Sequence, residues 1–313
     1  MRIVFMGTPH FAVPCLRMLL ESPWDVVAVV TQPDRPRGRG RSVQPSPIRE
    51  VADQAGIRVE TPVRLGDPES VQVLRDLRPD VIVVNAYAHK VPPEILALPP
   101  RGCINVHPSL LPKYRGGAPI RWTLFNGETC TGITTFYMAE GWDDGDMILR
   151  EEIPVGENET YGELSARLSN LGEKVLHSTL ELVARGEAAR VPQNDDEATR
   201  APILKPEDEV IDWSLEGKAL HNRVRGLSPS PGAKSSWRGK IVKILRTEKV
   251  PVPGGAGPGE VVPVEGKKGL FVATKSGMLE ILELQVEGKR PMTGRDFING
   301  YRPEPGETFG GVS

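Results

Sequence analysis

Arg2-Ile3-Val4-Phe5-Met6-Gly7 and Asp25-Val26-Val27-Ala28-Val29-Val30-Thr31 are two short apolar runs rich in β-branched residues. Between them, Phe11–Leu20 repeats its apolar side chains at helical spacing. This order, strand then helix then strand, recurs along the chain. Asp80–Ala86 and Cys103–Val106 read as further buried strands, Ser46–Ala55 and Pro68–Leu77 as helices. Ala118–Asn126 follows as a helix and Thr131–Met138 as a strand. Strands alternating with helices predict an α/β domain whose mostly parallel sheet is covered on both faces. Asn158–Gly186 is the longest amphipathic segment, with Leu164, Leu168, Leu171, Val175, Leu176 and Leu180 on one face, and is expected to be the last helix of this domain.

After Gly186 the pattern lapses through Gln193-Asn194-Asp195-Asp196, a polar stretch with the character of a linker. Beyond it lie one helix, Leu215–Gly226, and short β-type runs at Lys240–Arg246, Gly259–Val264, Leu270–Ala273 and Met278–Leu284. Gly/Pro-rich turns separate them, which predicts a small β-barrel, OB-fold-like in character. The expected organisation is a catalytic domain at 1–188, a linker at 189–207 and a barrel domain at 208–313.

Composition narrows the function classes. The chain has 313 residues, 39% of them hydrophobic, with no apolar run near the roughly 18 residues of a membrane span. Cys15, Cys103 and Cys130 are too far apart for a paired metal motif, and their odd number argues against a disulfide framework. The five histidines form no short ligand spacing, so no metal is expected. Gly7-Thr8-Pro9 follows the first strand, where a dinucleotide-binding protein carries GxGxxG. The second and third glycines are missing, so the domain is expected to be Rossmann-like without binding NAD. The net charge of −2 hides an uneven distribution. Nine basic residues run from Lys218 to Lys249 against the single acid Glu248, and Arg35, Arg37, Arg39 and Arg41 cluster in a Pro/Gly-rich stretch. Either cluster alone reads as a solvated face; two together point to a polyanionic partner.

Chemistry concentrates in Asn105-Val106-His107-Pro108-Ser109-Leu110-Leu111-Pro112, which runs on to Arg115-Gly116-Gly117. Asn105 and His107 alternate at the carboxyl end of a strand, so both side chains reach one face, where open α/β sheets place ligands. An amide and an imidazole there can donate to an oxyanion and handle a proton, or can simply form a polar strand end. The segment Gly141-Trp142-Asp143-Asp144-Gly145-Asp146 brings three carboxylates together. They could bind a cation, form an acidic turn, or hold one carboxylate against His107 and orient its ring.

These motifs resemble the signature of the formyltetrahydrofolate-dependent formyltransferases: Asn105-x-His107, Ser109-Leu110-Leu111-Pro112 and a Gly-x-Asp-x-Gly-Asp-Met turn. The resemblance implies catalytic roles for Asn105, His107 and Asp143, and a folate-contacting loop at Ser109, Leu110, Leu111 and Pro112. It also implies 10-formyltetrahydrofolate as formyl donor, an amine as acceptor and no metal. Asn105 and His107 would stabilise an oxyanion, while Asp143 positions His107. Thr31–Gly40 is similar to the loop with which the branch of the family acting on methionyl-initiator tRNA grips its acceptor. This extends the expected tRNA contacts to Arg35, Arg37, Arg39, Arg41 and the linker residue Lys205. The basic stretch from Lys218 to Lys249 would then lie on tRNA backbone. A cytoplasmic monomer, without membrane attachment, is expected. The sequence departs from the family at Ala88-His89-Lys90, usually Gly and apolar residues, and at Asp144, usually threonine. An amino-sugar nucleotide is the alternative acceptor, and a non-catalytic RNA-binding protein the alternative of another class.

Overall fold

The computed structural model describes residues 1–37, 42–250, 255–266 and 268–311, with backbone alone at 35–37, 42 and 43. Within them the chain forms two compact units. The first comprises Met1–Pro119, Cys130–Ile153 and Ser165–Pro202; the second comprises Ile120–Thr129, Pro154–Leu164 and Ile203–Ser313.

The first unit is built on strands β1 (Arg2–Gly7), β2 (Asp25–Val30), β5 (Val59–Glu60), β6 (Val81–Asn85), β7 (Cys103–His107), β8 (Cys130–Tyr137) and β9 (Met147–Pro154). They form one sheet in the order β5-β2-β1-β6-β7-β8-β9, and a two-stranded ribbon of β3 (Arg35–Arg37) and β4 (Ser42–Gln44) stands apart. From β5 to β7 the strands are parallel, and β8 runs antiparallel to β7. The expected alternation is therefore present, with α1 (Val13–Glu21), α2 (Pro47–Gln54), α3 (Pro68–Asp76), α4 (Pro93–Leu96) and most of α6 (Tyr161–Arg185) between or after the strands, while α5 (Pro119–Phe125) and the first turn of α6 count with the second unit. Prolines sit in the first turns of α1 to α4, where their missing N–H costs nothing. Strand β9 lies outside the expected elements, because its outer half, Arg150-Glu151-Glu152, is charged and exposed rather than apolar.

Alternation along the buried strands assigns the two faces. Val4, Met6, Ile82, Val84 and Cys103 share one face with α3 and α4, in a cluster that includes Leu74 and Ile95. Val106 points the other way, toward Gly172 of α6. Asn105 and His107 continue the Cys103 side by the two-residue period of a strand. Strand order reverses direction between β1 and β6, so the carboxyl ends of β1, β6 and β7 open a crevice at the switch point.

The second unit carries an antiparallel sheet ordered β10 (Ala233–Trp237), β11 (Lys240–Val250), β14 (Gly277–Val286), β13 (Leu270–Thr274), β12 (Val261–Val262), with β15 (Met292–Thr293) on β14. Its two edges are closed by the chain's own last residues. Gly310 exchanges backbone hydrogen bonds with Ser236 on β10, while Phe309 N–H donates to Gly259 and Val261 N–H donates to Glu307 beside β12. Among the described residues the sheet thus curls closed into a barrel-like unit, as expected. Helix α7 (Gly217–Leu227) and helix α8 (Gly294–Tyr301) pack on it, the latter with Phe297 buried beside Trp237 and Phe309. Among the described residues no helix is long and apolar enough to cross a membrane.

Candidate active site

His107 is held from two sides. Its Nε2 lies 2.9 Å from the Tyr114 carbonyl. A carbonyl only accepts, so Nε2 carries a proton, which in the neutral tautomer makes Nδ1 the accepting nitrogen. Nδ1 faces Asp143, 3.7 Å from Oδ2, with both side chains largely shielded from solvent. The same Oδ2 accepts from the Gly116 N–H at 2.8 Å. The loop after β7 therefore grips both partners, Tyr114 through its carbonyl and Gly116 through its amide. Phe136 on β8 packs edge-on to the His107 ring, the two planes 79° apart.

Backbone conformations explain why the loop can do this. Asp143 has φ of +54°, the left-handed region that costs a non-glycine residue about 1–3 kcal/mol unless its surroundings impose it. Aspartate tolerates that region better than most residues. Gly116 has φ of +128° and a Cβ there would sit 2.6 Å from the Ala201 carbonyl, so only glycine brings its amide to Asp143. Of the two adjacent carboxylates the structure brings Asp143 to His107, whereas the exposed Asp144 folds over Gly141.

Asn105 is half-buried on the same face as His107, and among the described residues its amide has no hydrogen-bond partner within the protein. Its two donors are thus available to a ligand. The Ser109–Pro112 loop is anchored rather than loose. Ser109 Oγ donates to the Lys113 carbonyl at 2.6 Å, and Thr134 Oγ1 on β8 donates to the Ser109 carbonyl while accepting from Leu111 N–H. Leu110 is half-buried beside fully buried Leu111 and Pro112. At the end of β6 the Tyr87 hydroxyl is buried without a hydrogen-bond partner, and burial pushes its pKa up to about 12. It stays protonated at neutral pH, a donor without an acceptor.

One residue that the sequence motifs did not single out belongs to the site. Gln193, in the polar stretch read as linker, donates from Nε2 to the carbonyls of Asp143 and Gly145, each at 2.8 Å. Its Oε1 accepts from Nε of buried Arg115 at 3.0 Å. Nothing local in the sequence marks Gln193; the Arg115-Gly116-Gly117 run was the available signal on the other strand of the clamp.

The expected tRNA contacts are placed less fully. Arg39 and Arg41 lie outside the described residues, and Arg35 and Arg37 are described by backbone alone, paired across the ribbon with Gln44 and Ser42. Lys205 belongs to the second unit, exposed and 3.8 Å from Glu207. The basic stretch is largely neutralised within its own unit: Arg223 pairs with Asp208, Lys234 with Glu209, Arg238 with Glu307, Arg246 with Glu163 and Lys249 with Glu157. Arg225 is buried on Asn222 and the Gly156 carbonyl. Lys218, Lys240 and Lys243 are left, among the described residues, without an ion pair. Among the described residues no group of His, Cys, Asp and Glu converges as a metal site.

A largely parallel sheet thus carries an Asn and a His at the carboxyl end of β7 with an aspartate facing the imidazole, groups able to donate to an oxyanion and handle a proton. Family comparison agrees: residues 1–180 match the formyl transferase model and residues 203–302 match the formyl transferase C-terminal domain. The chain belongs to the formyl transferase family. Among its relatives are the methionyl-tRNA formyltransferases of Citrifermentans bemidjiense, 47% identical over 99% of this chain and 96% of that one, and of Pelotomaculum thermopropionicum, 47% identical over 99% of both chains. Solved structures share the fold. HypX from Aquifex aeolicus in complex with tetrahydrofolic acid covers 100% of this chain and 51% of its own, with a TM-score of 0.64 at 18% identity. The sugar 3N-formyl transferase WlaRD, in the presence of dTDP and 5-N-formyl-THF, covers 93% of this chain and 99% of its own, with a TM-score of 0.65 at 17% identity.

Proposed function

We propose that the chain transfers the formyl group of 10-formyltetrahydrofolate to the free amino group of methionyl-initiator tRNA, giving N-formylmethionyl-tRNA for translation initiation. The observation that carries this reading is 47% identity, along nearly the whole length, to methionyl-tRNA formyltransferases. In the proposed arrangement 1–188 is the catalytic domain, 189–207 the linker and 208–313 the tRNA-binding barrel. The enzyme acts as a cytoplasmic monomer. Arg35, Arg37, Arg39, Arg41 and Lys205 are its proposed tRNA contacts.

The unpartnered Tyr87 hydroxyl and the open amide of Asn105 are polar groups that suit a folate donor beside the Ser109–Pro112 loop. When bound, formyl folate supplies an electrophilic formyl carbon. Asn105 then donates to the negative charge that develops on the formyl oxygen, a role in which one preorganised donor contributes about 2.7–4 kcal/mol. His107 accepts at Nδ1 the proton that the attacking amine must lose, and returns it to the folate nitrogen as the bond from that nitrogen to the formyl carbon breaks and tetrahydrofolate leaves. Asp143, fixed by the Gly116 amide, stabilises the positive charge that this places on the ring. Tyr114 keeps the ring from rotating by holding Nε2.

The test is incubation with formyl-labelled 10-formyltetrahydrofolate and either charged initiator tRNA or an amino-sugar nucleotide. Label on the tRNA alone is expected. Label on the sugar nucleotide alone would move the acceptor, and label on neither would remove the reading.

A further inference from the structure

We propose that Gln193 is a positioning residue for this site, acting on His107 through Asp143. Both donors of its amide go to the turn that carries Asp143, and its oxygen accepts from the side chain of Arg115, in the loop after β7 that holds the imidazole. Nε2 donates both protons, to the Asp143 and Gly145 carbonyls at 2.8 Å each. Oε1 accepts from Nε of Arg115, a buried guanidinium whose Nη2 is 2.8 Å from Asp195. On one side of Gln193 lies the turn carrying Asp143. On the other lies the backbone that presents the Tyr114 carbonyl to Nε2 of His107 and the Gly116 amide to Oδ2 of Asp143.

Backbone strain at Asp143 selects the role. Asp143 sits at φ of +54°, a conformation that persists only where the surroundings over-determine it. The Gly116 amide fixes its carboxylate; the two Gln193 donors hold its own carbonyl and that of Gly145, two residues further on. Losing the donors frees the turn to relax toward ordinary φ, which carries the carboxylate away from Nδ1. Misplacement of a reacting group by about 1 Å can cost on the order of a hundredfold in rate. A glutamine that merely tied down a connecting segment would instead affect folding and leave the ring alone.

The variants are Gln193→Met, which keeps the length and removes all hydrogen bonding, and Gln193→Glu, which keeps an acceptor for Arg115 and removes both donors. Each is expected to lower kcat for formyl transfer roughly ten- to a hundredfold. KM for folate and for tRNA should change less than about twofold, and Tm less than about 2 °C. In an Asp143→Asn background, Gln193→Met should add no further loss, because both act through one carboxylate. The ¹⁵N resonances of the His107 ring, recorded without substrates, should shift in both single variants. Full-rate transfer by Gln193→Met, an undiminished loss in the Asp143→Asn background, or losses that track Tm would overturn the assignment. The kinetic arm rests on the formyl-transfer reading; a wild type that transfers no formyl group would sink that reading, while unmoved ring resonances alone would sink this one.

Discussion

Nδ1 of His107 lies 3.7 Å from Oδ2 of Asp143, too far for a hydrogen bond and close enough for each to feel the other's charge. The carboxylate's hydrogen bond goes instead to the Gly116 amide at 2.8 Å. Asp143 is thus anchored by backbone and acts on the ring electrostatically until a proton arrives at Nδ1.

Asp143→Asn keeps an oxygen for the Gly116 amide and removes the charge. It should lower kcat at least about a hundredfold, within the range of general acid–base effects, with little change in Tm. Asp144→Thr should be nearly silent, since Asp144 is exposed and turned away from the ring. Single-turnover rates of the two variants decide the assignment. The reverse pattern would move the carboxylate role by one residue.

Asn105→Ala removes an amide that has no other partner among the described residues, so no buried group is orphaned. The expected loss is about 10²–10³ in kcat, with KM for tRNA unchanged. A loss confined to KM would reassign Asn105 to substrate binding.

Counterion release should follow the unpaired lysines rather than the whole basic stretch. Lys240→Ala and Lys243→Ala are each expected to reduce the slope of log affinity against log salt by about 0.7–0.9 in tRNA binding. Lys234→Ala and Arg246→Ala, which lose partners in Glu209 and Glu163, should change it less. Binding titrations at several salt concentrations separate the two sets, and equal slopes for all four variants would contradict the distinction.

Phe309 closes the barrel between its two edges and packs near Trp213, Trp237 and Phe297. Phe309→Ala should cost about 3–5 kcal/mol of stability in the second unit. Urea unfolding followed by tryptophan fluorescence measures it; a cost below about 1 kcal/mol would show that closure rests on backbone pairing alone.

Burial holds the His221 pKa below its ordinary value, assisted by the charges of Arg225 and Lys249 and opposed by Glu157. The ring lies 3.0 Å from Thr247 Oγ1 and 3.2 Å from the Glu157 carbonyl. The unfolded chain takes up this proton near pH 6.5 while the native state resists it, so stability falls as pH drops below about 6.5. The fall ends where the native ring also protonates. His221→Gln should flatten the Tm profile on this acid side, and an unchanged slope would exclude His221 as its source.

Local signals carried much of the fold. Runs such as Val81–Asn85 and the periodicity of Tyr161–Arg185 are properties of neighbouring residues, and they read correctly. Strand β10 did not, because one inward position is Ser235, polar yet satisfied by Trp213 and the Gly310 carbonyl. Helix α8 announces itself only through the capping pair Thr293 and Asp296, over too short a stretch for periodicity.

The sequence by itself determined the alternating α/β order, the family motifs and the placing of Asn105 and His107 on one face of one strand, because a strand's period is set by its own backbone. The tertiary structure supplied the contact of Asp143, which the family resemblance had already named, with the imidazole, and it alone decided that most of the basic stretch is already paired. It also decided that Gln193 clamps the turn and that residues 307–310 seal the barrel. Each of these is a contact between residues far apart in the chain, and partner choice depends on which backbones the folded core brings together.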